Sequence, residues 1–171
     1  MIRITCVLLA LMLIVPATAA RSADNPLIGT WKLKSYVREV AATGERTNER
    51  GEHPNGYLGY AADGRMYAII TWENRIKPRE VVPTDEERIK LFGTMISYAG
   101  TYTFDAEKVI HHVDISWNQS WTGTDQVRFY KLDGNTLTIT TPLNKNFVDG
   151  REGRSILVVV ARPGNGPVES V

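Results

Sequence analysis

Two of the three Asp-Gly pairs constrain this chain more than any other feature. Asp63-Gly64 lies between Tyr57-Leu58-Gly59-Tyr60 and the run from Met66 to Trp72. Asp133-Gly134 lies between the run from Val127 to Leu132 and the run from Thr136 to Thr141. Asp-Gly flanked by β-branched and aromatic residues signals a tight hairpin, because glycine accepts the positive φ that such turns demand. Ala106-Glu107 gives a weaker turn signal between Tyr102 to Phe104 and Val109 to Trp117. Upstream, Leu27 to Arg38 alternates: Gly29, Trp31, Leu33, Ser35 and Val37 share one side, and Thr30, Lys32, Lys34, Tyr36 and Arg38 the other. That is a strand with one face buried and one wet. Ile156 to Ala161 is a last apolar run, which brings the count to eight strands.

One segment follows a different period. Thr84-Asp85-Glu86-Glu87 spells a capping box after Pro83, and Ile89, Phe92, Met95 and Ile96 follow at helical spacing. The spacing predicts a helix from Asp85 to Ser97, weakened by Gly93. Ala41 to Asn55 is polar and reads as a loop. The whole predicts an all-β domain over residues 26–162: an eight-stranded antiparallel up-and-down barrel, with one helix between strands 3 and 4 set against one end. A two-sheet sandwich is the alternative, and sequential hairpins without long crossovers favour the barrel.

The N-terminus speaks to location. Arg3 precedes an uncharged run from Ile4 to Val15, then Pro16 and the small residues Ala17-Thr18-Ala19-Ala20. This is the pattern of a cleaved secretory signal peptide over residues 1–20, with the cut at Ala19, Ala20 or Ala23. The run of about 12 residues is short of the ~20 that span a bilayer. Export to the periplasm or beyond is therefore expected, with no stable membrane span after cleavage. Removing the first 20 of 171 residues leaves 151 and takes away Cys6, the only cysteine. Such a domain is held by its core alone, for which its length is sufficient. Arg3 leaves with the signal, so 20 Lys+Arg against 19 Asp+Glu become 19 against 19. That balance provides no electrostatic footprint for nucleic acid. Residues 163–171 read as a loose tail. Oligomeric state is not legible.

Register decides which polar side chains point inward, because successive residues face opposite ways. With Asp133-Gly134 as the turn, Tyr130 faces Leu137 and Arg128 faces Ile139, so Gln126, Arg128 and Tyr130 lie on the interior side. With Ala106-Glu107 as the turn, Tyr102 faces His111 and Gly100 faces Val113. Val109, His111, Val113, Ile115 and Trp117 then form the inner face, and His112 and Asp114 point out. A guanidinium inside a barrel is costly unless it is paired or the barrel holds water or a ligand, so Arg128 points to a cavity.

The same residues carry a family resemblance. Ile28-Gly29-Thr30-Trp31 matches the Gly-x-Trp signature of lipocalins at the start of the first strand. Gly56-Tyr57-Leu58-Gly59-Tyr60, Asp63-Gly64-Arg65-Met66 and Tyr98-Ala99-Gly100-Thr101-Tyr102 follow in order. So do His111-His112-Val113, Trp121-Thr122-Gly123-Thr124-Asp125-Gln126-Val127-Arg128 and Leu132-Asp133-Gly134-Asn135-Thr136-Leu137. From about Pro26 to Arg162 the chain resembles the bacterial and fungal lipocalin-like domain family. The resemblance implies a barrel with a central pocket. It also implies that Trp31 packs at the closed end with Arg162 across it, a structural cation–π contact worth on the order of 1 kcal/mol. The chain departs from ordinary lipocalins in lacking disulfides and in placing its helix mid-chain.

The expected function is binding of a small, mostly apolar ligand, fatty-acid- or polyketide-like with an acidic or carbonyl end. Tyr102, His111, Gln126, Arg128, Tyr130 and Ser35 are expected to line the site, and Trp121 to cap it from a loop at the barrel mouth. A cofactor-free isomerase or cyclase is the first alternative, with His111 and Tyr102 moving protons and Arg128 and Gln126 holding an oxyanion. Some relatives of this barrel do such chemistry. A structural barrel without ligand is the second. No cofactor is expected. His111 and His112 face opposite ways and cannot chelate together, and no cysteine completes a zinc set, so no metal is expected either.

Overall fold

The computed structural model describes residues 25–146 and 150–162. The expected signal peptide, its cleavage positions, Cys6 and the tail 163–171 lie outside them. Ten strands form one antiparallel sheet: β1 (Gly29–Val40), β2 (Arg46–Thr47), β3 (Asn55–Tyr60), β4 (Arg65–Thr71), β5 (Met95–Phe104), β6 (Lys108–Ser116), β7 (Asp125–Asp133), β8 (Thr136–Thr140), β9 (Asn144–Lys145) and β10 (Glu152–Ala161). Each long strand pairs with its neighbour in sequence, and β1 closes the ring on β10. The eight long strands are the expected up-and-down barrel. The two-residue strands β2 and β9 lengthen one rim by pairing with β1 and β10.

Strand order sorts the connections by end. The turns β3–β4, β5–β6 and β7–β8 are tight and share one end with the Asn25–Ile28 segment. The four long connections, β1–β3, β4–β5, β6–β7 and β8–β10, share the other. The helix α1 (Asp85–Gly93) lies in the β4–β5 connection, between the third and fourth barrel strands as expected. Its N-terminus carries the full capping box: Thr84 accepts from the Glu87 amide, and the Glu87 carboxylate accepts from the Thr84 amide. The helix ends at Gly93, four residues short of the expected Ser97. Met95 and Ile96 belong to β5, where they pair with Thr71 and Ile70. Strand pairing outcompetes helix propagation here, since the helix buries none of its residues and has little to hold a further turn.

Three departures in register carry physical information. In β1 the pairing shifts between Leu33 and Ser35. Beyond this bulge the inward residues are Tyr36, Arg38 and Val40, not Ser35 and Val37. Ser35 is opposite Val158 on the outer face, which corrects its expected place at the site. In β6 a second bulge skips Asp114, so Ile115 turns outward and is 67% exposed instead of joining Val113 inside. Gly100 sits opposite this bulge, where a Cβ would collide with the His112 carbonyl. In the third hairpin Asp133 pairs with Thr136, Leu132 with Leu137 and Tyr130 with Ile139. The turn is therefore Gly134-Asn135, with Gly134 at φ 52° in the first central position. A two-residue slip keeps every side chain on its expected face, so the interior assignment of Gln126, Arg128 and Tyr130 is unaffected.

The core fills the tight-turn end. Leu27, Trp31, Leu58, Met66, Val109, Leu137 and Val159 are all 3% exposed or less. The Trp31 indole donates to the Leu27 carbonyl at 2.8 Å and seals that end. Arg162 does not cross Trp31. Its guanidinium lies 5.6 Å from the centre of the Tyr57 ring and donates to the Tyr57 hydroxyl at 3.2 Å. Tyr57 alternates outward next to inward Leu58, so the expected stack is replaced by one on the barrel's outer surface.

Candidate functional site

The barrel interior divides into a sealed half and an open half. In the sealed half, His111 is fully buried between two tyrosines. Tyr60 Oη lies 2.9 Å from Nε2 and Tyr98 Oη 2.9 Å from Nδ1. Burial is the main cause that pushes the imidazole down to a pKa of about 3, with the Arg128 and His112 charges adding to it. The ring is therefore neutral at ordinary pH, with one N–H and one lone pair. One tyrosine must donate to it and the other accept from it. Burial raises both phenols above their ordinary value, so both stay protonated.

Tyr102 is inward, yet it is not the partner of His111. Its hydroxyl donates to the Ala61 carbonyl at 2.9 Å and accepts from Asn25 at 2.7 Å, and its ring meets Tyr60 edge-on at 5.0 Å. The expected His111–Tyr102 acid–base pair is replaced by a Tyr60–His111–Tyr98 chain. Tyr60 and Tyr98 escaped sequence reasoning, although Tyr98 stands four residues before Tyr102 on the same face. His112 points outward, bonded to Thr103 at 3.0 Å and Asp125 at 2.7 Å. Tyr130 is inward near the tight turns, its hydroxyl on the Asp105 carbonyl at 2.7 Å.

The open half holds a cavity of about 720 Å³ under the four long connections. Gln126 and Arg128 are on its wall, as are Tyr98, Ile70, Ile96 and Leu157. Trp121 reaches it from a single 3-10 turn, Gln119–Trp121, edge-on to Tyr98 at 5.6 Å and to Trp117 at 5.0 Å. Phe92, at the end of α1, lies 6.4 Å from Trp117. Gln126 donates to Thr124 at 3.0 Å and accepts from Arg128 at 3.3 Å, and Arg128 also donates to the Val127 carbonyl at 2.8 Å.

Two cationic wall residues were not expected. Arg38, turned inward by the β1 bulge, is 5% exposed and donates to Asn144 at 2.8 and 2.7 Å. Arg50, in the polar connection after β1, stacks 3.9 Å from the Trp72 ring centre and 5.1 Å from that of Tyr36. Strict alternation hid Arg38, and nothing in the loop's composition marks Arg50. Among the described residues no group of three or more His, Cys, Asp or Glu can hold a metal ion, and no helix is long and apolar enough to cross a membrane.

The arrangement offers a half-open apolar and aromatic space with amide and guanidinium donors on its wall. Residues 28–162 match the family model of a lipocalin-like domain. No curated protein matches the chain.

Proposed function

The chain belongs to the lipocalin-like domain family, and from that premise we propose that it is an exported protein that holds one small, mostly apolar ligand in the open half of its barrel. The cavity carries this reading. Its volume of about 720 Å³ falls within the ~300–1,000 Å³ of sites that enclose small molecules. Its walls pair hydrophobic and aromatic side chains with a few polar groups, the mix that gives such sites affinity and orientation. Fatty-acid-like or polyketide-like compounds have the matching chemistry. Carriage is favoured over turnover because His111 is enclosed by Tyr60 and Tyr98 and is not on the cavity wall. Export rests on the apolar stretch Ile4 to Val15 and the small residues after it.

Native mass spectrometry of the protein purified from its own host tests the reading. The expected result is a noncovalent adduct of one small molecule per chain that extracts into organic solvent. A bare chain that also takes up no added fatty acid or polyketide-like aromatic contradicts it.

A further inference from the structure

Among the described residues, the charges around the cavity do not balance. Arg38, Arg50 and Arg128 contribute three guanidinium groups to its lining, with Lys145 at the rim. Against them stand Glu49 and Asp125. Asp125 is committed to His112 at 2.7 Å, on the outward side of the strand pair. Glu49 accepts from Asn146 at 2.7 Å and reaches Arg50 only at 4.0 Å. Arg38 and Arg128 are held by neutral acceptors, which satisfy hydrogen bonds and leave the positive charge intact. Three cations facing one loosely engaged carboxylate, between low-dielectric walls, put a positive field into the cavity.

Arg50 carries the least engaged of these charges. Its side chain is only 11% accessible, stacked between Trp72 and Tyr36. Its Nε is buried with no hydrogen-bond partner. An N–H buried without a partner costs free energy, which marks this guanidinium as under-satisfied by the described residues. Glu49 approaches Nη1 only at 4.0 Å, and among the described residues neither Nη1 nor Nη2 makes a hydrogen bond, so the terminal pair of the guanidinium is left to take a carboxylate in two parallel bonds. The aromatic rings of Trp72, Trp117, Trp121 and Phe92 line the same space.

We propose that the ligand is an organic carboxylate on a planar, mostly apolar body, its anionic head held by Arg50 and Arg128 and its body lying among the cavity's aromatic rings. This rests on the reading of the barrel as a binding protein and adds the charge and shape of what it binds.

The probes are 1-pyrenebutyrate and 1-pyrenebutanol, which share one fluorescent body and differ only in the head. Each is titrated into the purified full-length protein and followed by pyrene emission. The carboxylate is expected to bind at least about tenfold tighter than the alcohol at low salt. That ratio is expected to shrink when salt is raised to about 1 M, which needs no variant. In Arg50→Gln/Arg128→Gln the ratio is expected to fall to within about threefold, with Arg50→Lys intermediate because it keeps the charge and loses the fork. Equal binding of the two probes to the unaltered protein overturns the proposal and leaves the binding reading standing. A carboxylate preference that survives both high salt and the double substitution also overturns it. Failure of both probes to bind overturns the binding reading itself, and this proposal with it.

Discussion

At the residue scale, His111 shows how strongly a barrel interior dictates chemistry. Read from the sequence, an inward histidine beside an inward tyrosine suggests proton transfer. In the structure the ring is satisfied at both nitrogens and held neutral by burial. Neutrality has a consequence for stability. The unfolded chain takes up a proton at this position below the ordinary value of 6.5, while the folded protein refuses it until about pH 3. The unfolded state therefore binds more protons between those limits. The stability that His111 contributes is full above pH 6.5 and is lost progressively as the pH falls toward 3. Thermal unfolding followed across that range should show a falling midpoint, and His111→Gln, which cannot take the proton, should flatten the slope while lowering the midpoint throughout. Tyr60→Phe strands one imidazole nitrogen in the sealed half. It should destabilise the fold by about 1–3 kcal/mol in denaturant titration, without changing the cavity. Which tyrosines held the ring was legible in part. Tyr98 follows from the parity of β5 once Tyr102 is inward, whereas Tyr60 needs the β3–β4 register and the knowledge that Met66 opposite it is buried.

At the scale of elements, the hairpins were legible and the bulges were not. Ala106-Glu107 places Tyr102 opposite His111 through turn chemistry and alternation alone, while Asp63-Gly64 marks the turn but not its register, because the loop has three residues, Ala62-Asp63-Gly64, and sets Tyr60 opposite Met66. A bulge adds one residue without any composition signal, and each of the two here reverses the faces beyond it. That is why Ser35 and Ile115 fell on the wrong side, and why Arg38 was hidden. The helix shows a different limit. Its start was legible because a capping box is a local interaction, and its end was not, because Met95 and Ile96 fit a helical stripe as well as a strand. With no residue of α1 buried, the capping box is a large share of what holds it. Thr84→Ala should cost the helix about 1 kcal/mol, seen as faster amide exchange over residues 85–93. The unfolding midpoint of the barrel should barely move.

For the whole molecule, the alternating end-placement of connections in an up-and-down barrel explains why there is a cavity and where it is. Three tight turns and the Leu27–Trp31 seal allow side chains to close one end. Four long connections at the other cannot cover their end with strand residues, and helix α1, the Gln119–Trp121 turn and residues 141–146 surround a space instead. The fold and the inward placement of Gln126 and Arg128 were legible because both depend on turns and period. The loop contribution of Arg50 and Trp72 was not, since it depends on how long connections fold over the rim. Uptake of an apolar molecule by the open half is read directly in a titration with the neutral dye N-phenyl-1-naphthylamine. Tryptophan excitation should light the dye through Trp72, Trp117 and Trp121, saturating at one dye per chain, and Ile96→Trp, which narrows the cavity among its aromatic rings, should weaken uptake by about tenfold or more. Uptake that never saturates, or that is the same in Ile96→Trp, would mean that the open half is not where an apolar molecule binds.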